Sequence, residues 1–225
     1  PLEVSKTAEA SFDRTYLWDI TKDVDQTSVT VDEATGEADF VYTVEAVPGD
    51  FVDSGWELTG EITVTNPNEF EPETVTVTDV VDVAGGAVCT VADGEDVVIA
   101  AGATEVFDYS CTFTSEPDYD GTNTATVVSD GQTFTATAAV EFALDGETDA
   151  TVDVVDDQTD PANPVTLGTA DWNAAGTPES FEYTLTHEGV PGQCVTFTNT
   201  AWVVVTGDDP SADQTVTVCV EAPLE

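Results

Sequence analysis

Charge constrains this chain before anything else does. Its 225 residues carry 46 Asp and Glu against three Lys and Arg, a formal net charge of −43. Such a chain repels itself, which opposes the compact state unless cations screen or bridge the carboxylates. High salt, bound divalent ions or both are implied. The same field repels nucleic acid and anionic membranes, whose binding depends on Lys and Arg. No nucleic-acid partner is therefore expected. The three bases, Lys6, Arg14 and Lys22, all lie in the first 22 positions, beside four acids (Glu3, Glu9, Asp13 and Asp19). Beyond Lys22 every charged side chain, one histidine apart, is a carboxylate.

The remaining composition points to strands. Apolar residues make up 40% of the chain, enough for a packed core, and the β-formers Val and Thr recur throughout. No run of 18 apolar residues is present, so direct membrane insertion is not expected. Residues 1–24 contain an alternating stretch: Phe12, Arg14, Tyr16, Trp18, Ile20 and Lys22 share one face of an extended segment. Val29–Val31 and Asp39–Glu45 read as a hairpin across an acidic, Gly-containing loop. Further strands are predicted over 56–65, 74–83, 87–91, 97–99 and 106–113. Thr122–Val128 and Thr133–Phe142 form a hairpin across Ser129-Asp130-Gly131. A polar stretch over 144–149 marks a boundary, followed by strands over 151–155, 165–170, 181–187, 194–205 and 215–220. The expected fold class is all-β: tandem immunoglobulin-like β-sandwiches. The divisions are residues 1–24 (an N-terminal strand), 25–145 (a first sandwich) and 146–225 (a second, shorter one).

The second region repeats part of the first. Val75-Thr-Val-Thr-Asp-Val-Val answers Thr151-Val-Asp-Val-Val-Asp, and Phe107-Asp-Tyr109 answers Phe181-Glu-Tyr183. Thr122-Asn123-Thr-Ala125 answers Thr198-Asn199-Thr-Ala201. Such self-similarity indicates one structural unit used twice. The copy is short of strands, lacking a counterpart of residues 25–70, so something must cover its open edge.

The four cysteines form two pairs, one in each half. Neither pair has the C-x-x-C spacing of a zinc or redox site. Disulfides Cys89–Cys111 and Cys194–Cys219 are predicted, each contributing about 3 kcal/mol on loop entropy, and with them an oxidising compartment.

The order Thr-Lys-Asp-Val-Asp (21–25), Phe-Val-Tyr-Thr (40–43), Ile-Thr-Val-Thr-Asn (62–66), Val-Thr-Val-Thr-Asp (75–79) and Asn-Thr-Ala-Thr-Val (123–127) resembles the immunoglobulin-like repeat of secreted bacterial and archaeal surface proteins. The likeness covers about residues 20–145 and part of 150–221. It implies a sandwich fold and an extracellular, cell-surface location, but no one activity.

No catalytic constellation is legible, and no enzymatic activity is expected. The single histidine, His187, reads as a solvated strand end. G-x-S-x-G, H-E-x-x-H and P-loop motifs are absent. Three acidic loops are candidate calcium ligands, because calcium takes six to eight oxygens in flexible loops. They are Asp118, Asp120 and Asn123; Asp156, Asp157 and Asp160; and Asp208, Asp209 and Asp213. A solvated, salt-adapted surface is the plainer account of the same residues. Some Gram-positive surface domains join a Lys and an Asn side chain through an isopeptide bond beside a buried carboxylate. Lys22 on an early strand and Asn123 on a late one suit that pairing. Trp56, Trp172 and Trp202 could stack on sugars or simply fill core.

Two functional expectations follow. The first is a structural subunit of an extracellular filament or surface layer, whose partners are other copies of itself. There the face carrying Phe12, Arg14, Tyr16, Trp18, Ile20 and Lys22 would be donated as a strand to the open sandwich of the next molecule. The second is a monomeric adhesion, binding or stalk module of a larger surface protein, with residues 1–24 folded back on their own chain.

The charge generates a test. Lowering ionic strength should lower the melting temperature, because unscreened carboxylates repel. Chelating divalent ions at constant ionic strength separates the two sources of screening. A further drop marks bound calcium, whereas no change leaves salt adaptation alone.

Overall fold

The computed structural model describes residues 1–222. Among them all regular structure is strand, and no helix is long and apolar enough to cross a membrane. The chain divides into two compact units. Residues 1–14 and 53–146 form the first; residues 15–52 and 147–225 form the second. The boundaries fall within strands β2 (Glu9–Val24), β4 (Glu37–Thr65) and β10 (Gln132–Thr148).

The first unit begins with β1 (Glu3–Lys6), which pairs antiparallel with the far end of β4, Lys6 opposite Ile62. The other side of that part of β4 pairs with β8 (Thr104–Thr112), and β8 with β6 (Val88–Val91). A second layer is made by β10, β9 (Asp120–Ser129), β5 (Glu73–Asp82) and β7 (Val97–Ile99). The Val-Thr alternation of these strands puts one residue in two inward. Leu58, Ile62 and Val64 of β4 and Phe107 and Tyr109 of β8 meet Val75 and Val77 of β5 and Ala125 and Val127 of β9 in one core. The β9–β10 hairpin turns on Asp130 (φ 47°) and Gly131 (φ 76°), the two positive φ values that a two-residue turn of this hand needs.

In the second unit β4 contributes its other half. Ala38, Phe40, Tyr42, Val44 and Ala46 alternate inward and are all buried. This half of β4 pairs antiparallel with β13 (Glu179–Glu188) over its whole length. Facing it is a five-stranded sheet in the order β12 (Val165–Asp171), β11 (Thr151–Asp156), β14 (Cys194–Val204), β15 (Ser211–Val220), β3 (Ser28–Val31). Trp18 and Ile20 of β2 and Val44 and Ala46 of β4 pack with Val152, Val154, Ala201 and Val203 of the facing sheet. Phe40 and Tyr42 pack with Val216 and Val218 of β15.

Both disulfides form as predicted, Cys89–Cys111 and Cys194–Cys219, each joining residues directly opposite in adjacent antiparallel strands. Two expectations differ from the fold. The segment 28–31 does not hairpin onto β4; it lies parallel to β15, with Val29 opposite Val218. Over residues 37–46 one edge of β4 is taken by β13, and on its other side Asp25 N donates to Val41 O (3.0 Å), which leaves no edge for β3. The division at 24 and 145 also differs, because residues 15–52 belong with 147–225. The strands that the second region lacks are therefore supplied by an earlier stretch of the same chain.

A fragment of residues 146–225 should consequently stay unfolded. It has lost Phe40 and Tyr42, each fully buried, and removing even one such aromatic side chain costs about 3–5 kcal/mol. Circular dichroism with thermal melting checks this; a cooperative transition in the isolated fragment would overturn the interleaved division.

Candidate functional site

All three bases end against carboxylates of their own unit. Arg14 forms a fork with Asp53, Nε to Oδ1 at 2.6 Å and Nη2 to Oδ2 at 2.8 Å. The guanidinium holds the Asp53 carboxyl below its ordinary range. Lys6 and Lys22 do something less common: each places its ammonium between the two layers of a sandwich, with no side-chain exposure.

In the first unit Lys6 points inward from β1. Its Nζ lies 2.7 Å from Asp79 Oδ1 and 3.2 Å from the centroid of the Tyr109 ring. Asn123 Nδ2 donates to the other oxygen of the same carboxylate, Asp79 Oδ2, at 2.7 Å. The buried Asn123 Oδ1 has no hydrogen-bond partner. Tyr109 sits opposite Gly60, where a Cβ would lie only 2.8 Å from the Tyr109 ring and 2.5 Å from Thr7 O. Glycine thus makes room for the ring, and Tyr109 Oη donates to Thr7 O at 2.7 Å, fixing the chain just after Lys6.

The second unit repeats the arrangement. Lys22 donates from β2 to Asp156 Oδ2 and, at 2.7 Å, to Tyr183 Oη. Tyr183 Oη donates to Asp156 Oδ2 (2.7 Å) and accepts from Asn199 Nδ2 (2.8 Å). Asn199 Oδ1 is again buried and unpartnered. The strand register is the same in both units. Asp79 lies opposite Ala125 and Asp156 opposite Ala201; in each case the Asn stands two residues before that Ala, on the diagonal neighbour site.

Burial controls the ionisation of these groups. It pulls both lysines below their ordinary value, against the Asp partner that works to raise them. It also pushes Tyr109 and Tyr183 up, so both phenols stay protonated. Stacked on Tyr183, Tyr42 is raised to about 12 for the same reason.

The sequence-predicted sites distribute as follows. Phe12, Tyr16, Trp18, Ile20 and Lys22 do share one buried face, and Arg14 beside them is half-buried. Lys22 and Asn123 are not brought together: Lys22 meets Asp156 in the second unit, and Asn123 meets Asp79 in the first. Of the acidic loops, Asn123 turns inward away from the exposed Asp118 and Asp120. Asp156 faces Lys22, while Asp157 accepts from the backbone of Thr159 and Thr200, and Asp160 from Asn163. Asp208, Asp209 and Asp213 are exposed, and Asp209 accepts from Val205 N. Among the described residues the one close group of three His, Cys, Asp or Glu ligand atoms is Asp79 with Cys89 and Cys111. Their sulfurs are already bonded to each other, so the 3.6 Å approach of Cys111 Sγ to Asp79 is a contact and holds no metal. Trp172 belongs to its own unit, Nε1 donating to Gly49 O at 2.9 Å.

Lys6, Asp79, Tyr109, Tyr183 and Asn199 were missed as sites in the sequence, and Asp156 was read only as a calcium ligand. The internal repeat carried part of the signal: it aligns Tyr109 with Tyr183 and Asn123 with Asn199, and moving the match at Val75 by one residue brings Asp79 onto Asp156, as the strand register does. Val4-Ser5-Lys6 and Ile20-Thr21-Lys22 extend it to the bases. Compared with known proteins, the chain matches no family model and no curated protein.

His187 is not solvated. It is buried, stacked on Phe197 (4.3 Å, 10°) and close to Phe40, with Nε2 3.5 Å from Tyr42 Oη. Burial lowers its basicity. The unfolded chain then binds a proton at the ordinary histidine value while the folded one resists, so this group's stabilisation is present above about pH 6.5 and is lost as pH falls below it. His187→Phe should be insensitive to that step. The stability difference between variant and native protein should shift in the variant's favour between pH 7.5 and 5. Denaturant melts at both pH values check this, and a difference independent of pH would contradict it.

Proposed function

We propose that the chain is a stalk or binding module of a larger extracellular surface protein, with its first strand folded into its own units and no enzymatic role. One observation carries this reading over a filament joined by strand donation: Phe12, Tyr16, Trp18 and Ile20, the side chains a donated strand would insert in a neighbour, are buried in their own chain. Tyr16 Oη donates to Glu147 (2.5 Å) and Trp18 Nε1 to Asp149 O (2.8 Å), so the polar ends of that face are occupied too. Arg14, which would steer a donor toward an acceptor's acids, is held by Asp53.

The extracellular assignment is supported by two disulfides, which persist in oxidising compartments. The stalk assignment is supported by the way each unit spends its one buried lysine in tying its first strand to the opposite layer. Breaking a buried ion pair from one side costs about 3–5 kcal/mol. That is a device for holding shape. The resemblance to immunoglobulin-like repeats of surface proteins belongs to the same proposal.

Sedimentation equilibrium of the whole chain at high concentration, with and without calcium, tests the reading. A monomer in both conditions is expected. Head-to-tail polymers that disappear on deletion of residues 1–24 would overturn it and favour the filament.

A further inference from the structure

Two buried lysines each reach a carboxylate beside an asparagine: Asn123 donates to Asp79 directly, Asn199 is joined to Asp156 through Tyr183 Oη, and neither asparagine carbonyl oxygen has a partner. An amine, a carboxyl group and a carboxamide in a dry pocket are the components of an amide-exchange reaction. We infer that each unit closes its own covalent cross-link, Lys6 Nζ to Asn123 Cγ in the first and Lys22 Nζ to Asn199 Cγ in the second, with release of ammonia. The inference does not depend on the stalk reading.

The chemistry follows from burial. An ion pair moved out of water is held in place only by its own attraction, and passing the proton from lysine to aspartate turns it into a neutral pair. The lowered basicity of both lysines favours that transfer. It leaves a free amine, which is a nucleophile, and a carboxylic acid, which is a hydrogen-bond donor. Asn123 lies within hydrogen-bond reach of the same carboxyl group (2.7 Å). Its carboxamide presents either its nitrogen or its oxygen there, depending on which way round the amide is assigned. With the oxygen inward, the Asp79 acid polarises the carbonyl. The lysine nitrogen then attacks Cγ, forming the new C–N bond. Asp79 takes a proton from the attacking nitrogen and delivers one to Nδ2, the Cγ–Nδ2 bond breaks, and ammonia leaves. Amine plus primary amide gives secondary amide plus ammonia; nothing is oxidised or reduced, and Asp79 ends as it began.

In the second unit Asp156 has the same part, with Tyr183 added. Its hydroxyl touches Lys22 Nζ, Asp156 Oδ2 and Asn199 Nδ2 at once, so it can relay the proton between base and leaving group. The positions are pre-set by the sheets: Asp and Asn stand on adjacent strands of one layer, and the lysine comes from the opposite layer. Proximity of this kind is what makes a slow amide exchange accessible without a cofactor. Two independent occurrences in one register argue for the reaction over a merely structural ion pair, for which the asparagine is dispensable.

Intact mass of the purified, reduced and denatured full chain reads the outcome. The expected mass is below that of the sequence by two molecules of ammonia, and an acid-specific protease digest should yield two branched peptides, one joining Lys6 to Asn123 and one joining Lys22 to Asn199. Asp79→Asn and Asp156→Asn, which keep shape and remove the acid, should each retain one ammonia. The sequence mass unchanged, or a branched peptide joining Lys22 to Asn123, would overturn the inference; a variant that still loses both ammonias would remove the aspartate from it. The peptide map of the native chain decides even if a variant does not fold. A null result leaves the stalk reading untouched, because oligomeric state decides that one.

Discussion

Everything in this protein is organised around where three cations go in a field of carboxylates. An ammonium buried between two β-layers is unfavourable by itself. It becomes tolerable when one carboxylate sits 2.7 Å away and an aromatic face covers it, as Asp79 and Tyr109 do for Lys6. That requirement fixes much else. β1 must lie beside β4 so that Lys6 enters the sandwich, Gly60 must lack a side chain so that Tyr109 can approach, and Asp79 must face inward on β5. The second unit solves the same problem with Lys22, Asp156 and Tyr183.

The surface bears the opposite problem. With every base committed to a partner, the remaining carboxylates face solvent and one another. Their repulsion is diffuse and screened over about 8–10 Å at ordinary salt. The buried pairs are screened far less, so lowering salt should loosen loops such as 205–210 before it loosens the sandwich interior.

Much of the fold was legible in the sequence because period-2 alternation and cysteine spacing are local signals. The β9–β10 hairpin, the buried face from Phe12 to Ile20 and both disulfides follow from residues near one another in the chain. Interleaving of the units was not legible. β4 runs unbroken for 29 residues through Pro48-Gly49 and Ser54-Gly55, where separate strands over 39–45 and 56–65 were expected. Gly55 takes a positive φ (65°) within the strand, and a Cβ at Gly49 would lie 3.1 Å from Leu17 O, so both glycines serve the continuity of the strand. The expected pair Lys22 and Asn123 is not brought together. Sequence order pairs Lys22 with the first suitable asparagine, Asn123, whereas topology places that residue beside Lys6 and gives Lys22 the copy, Asn199.

The way the loops overlap has a mechanical consequence. Suppose the chain is pulled by its two ends with the inferred amides in place. Tension entering at residue 1 travels along the backbone to Lys22, crosses to Asn199, runs back to Cys194, jumps the disulfide to Cys219 and leaves at residue 225. The whole of 23–193 and the hairpin 200–218 lie off that route, including almost all of the first unit. Such a molecule carries force along β1, β2 and the short segment 194–199 while residues 23–193 bear none, and its contour cannot lengthen further by unfolding once those segments are taut.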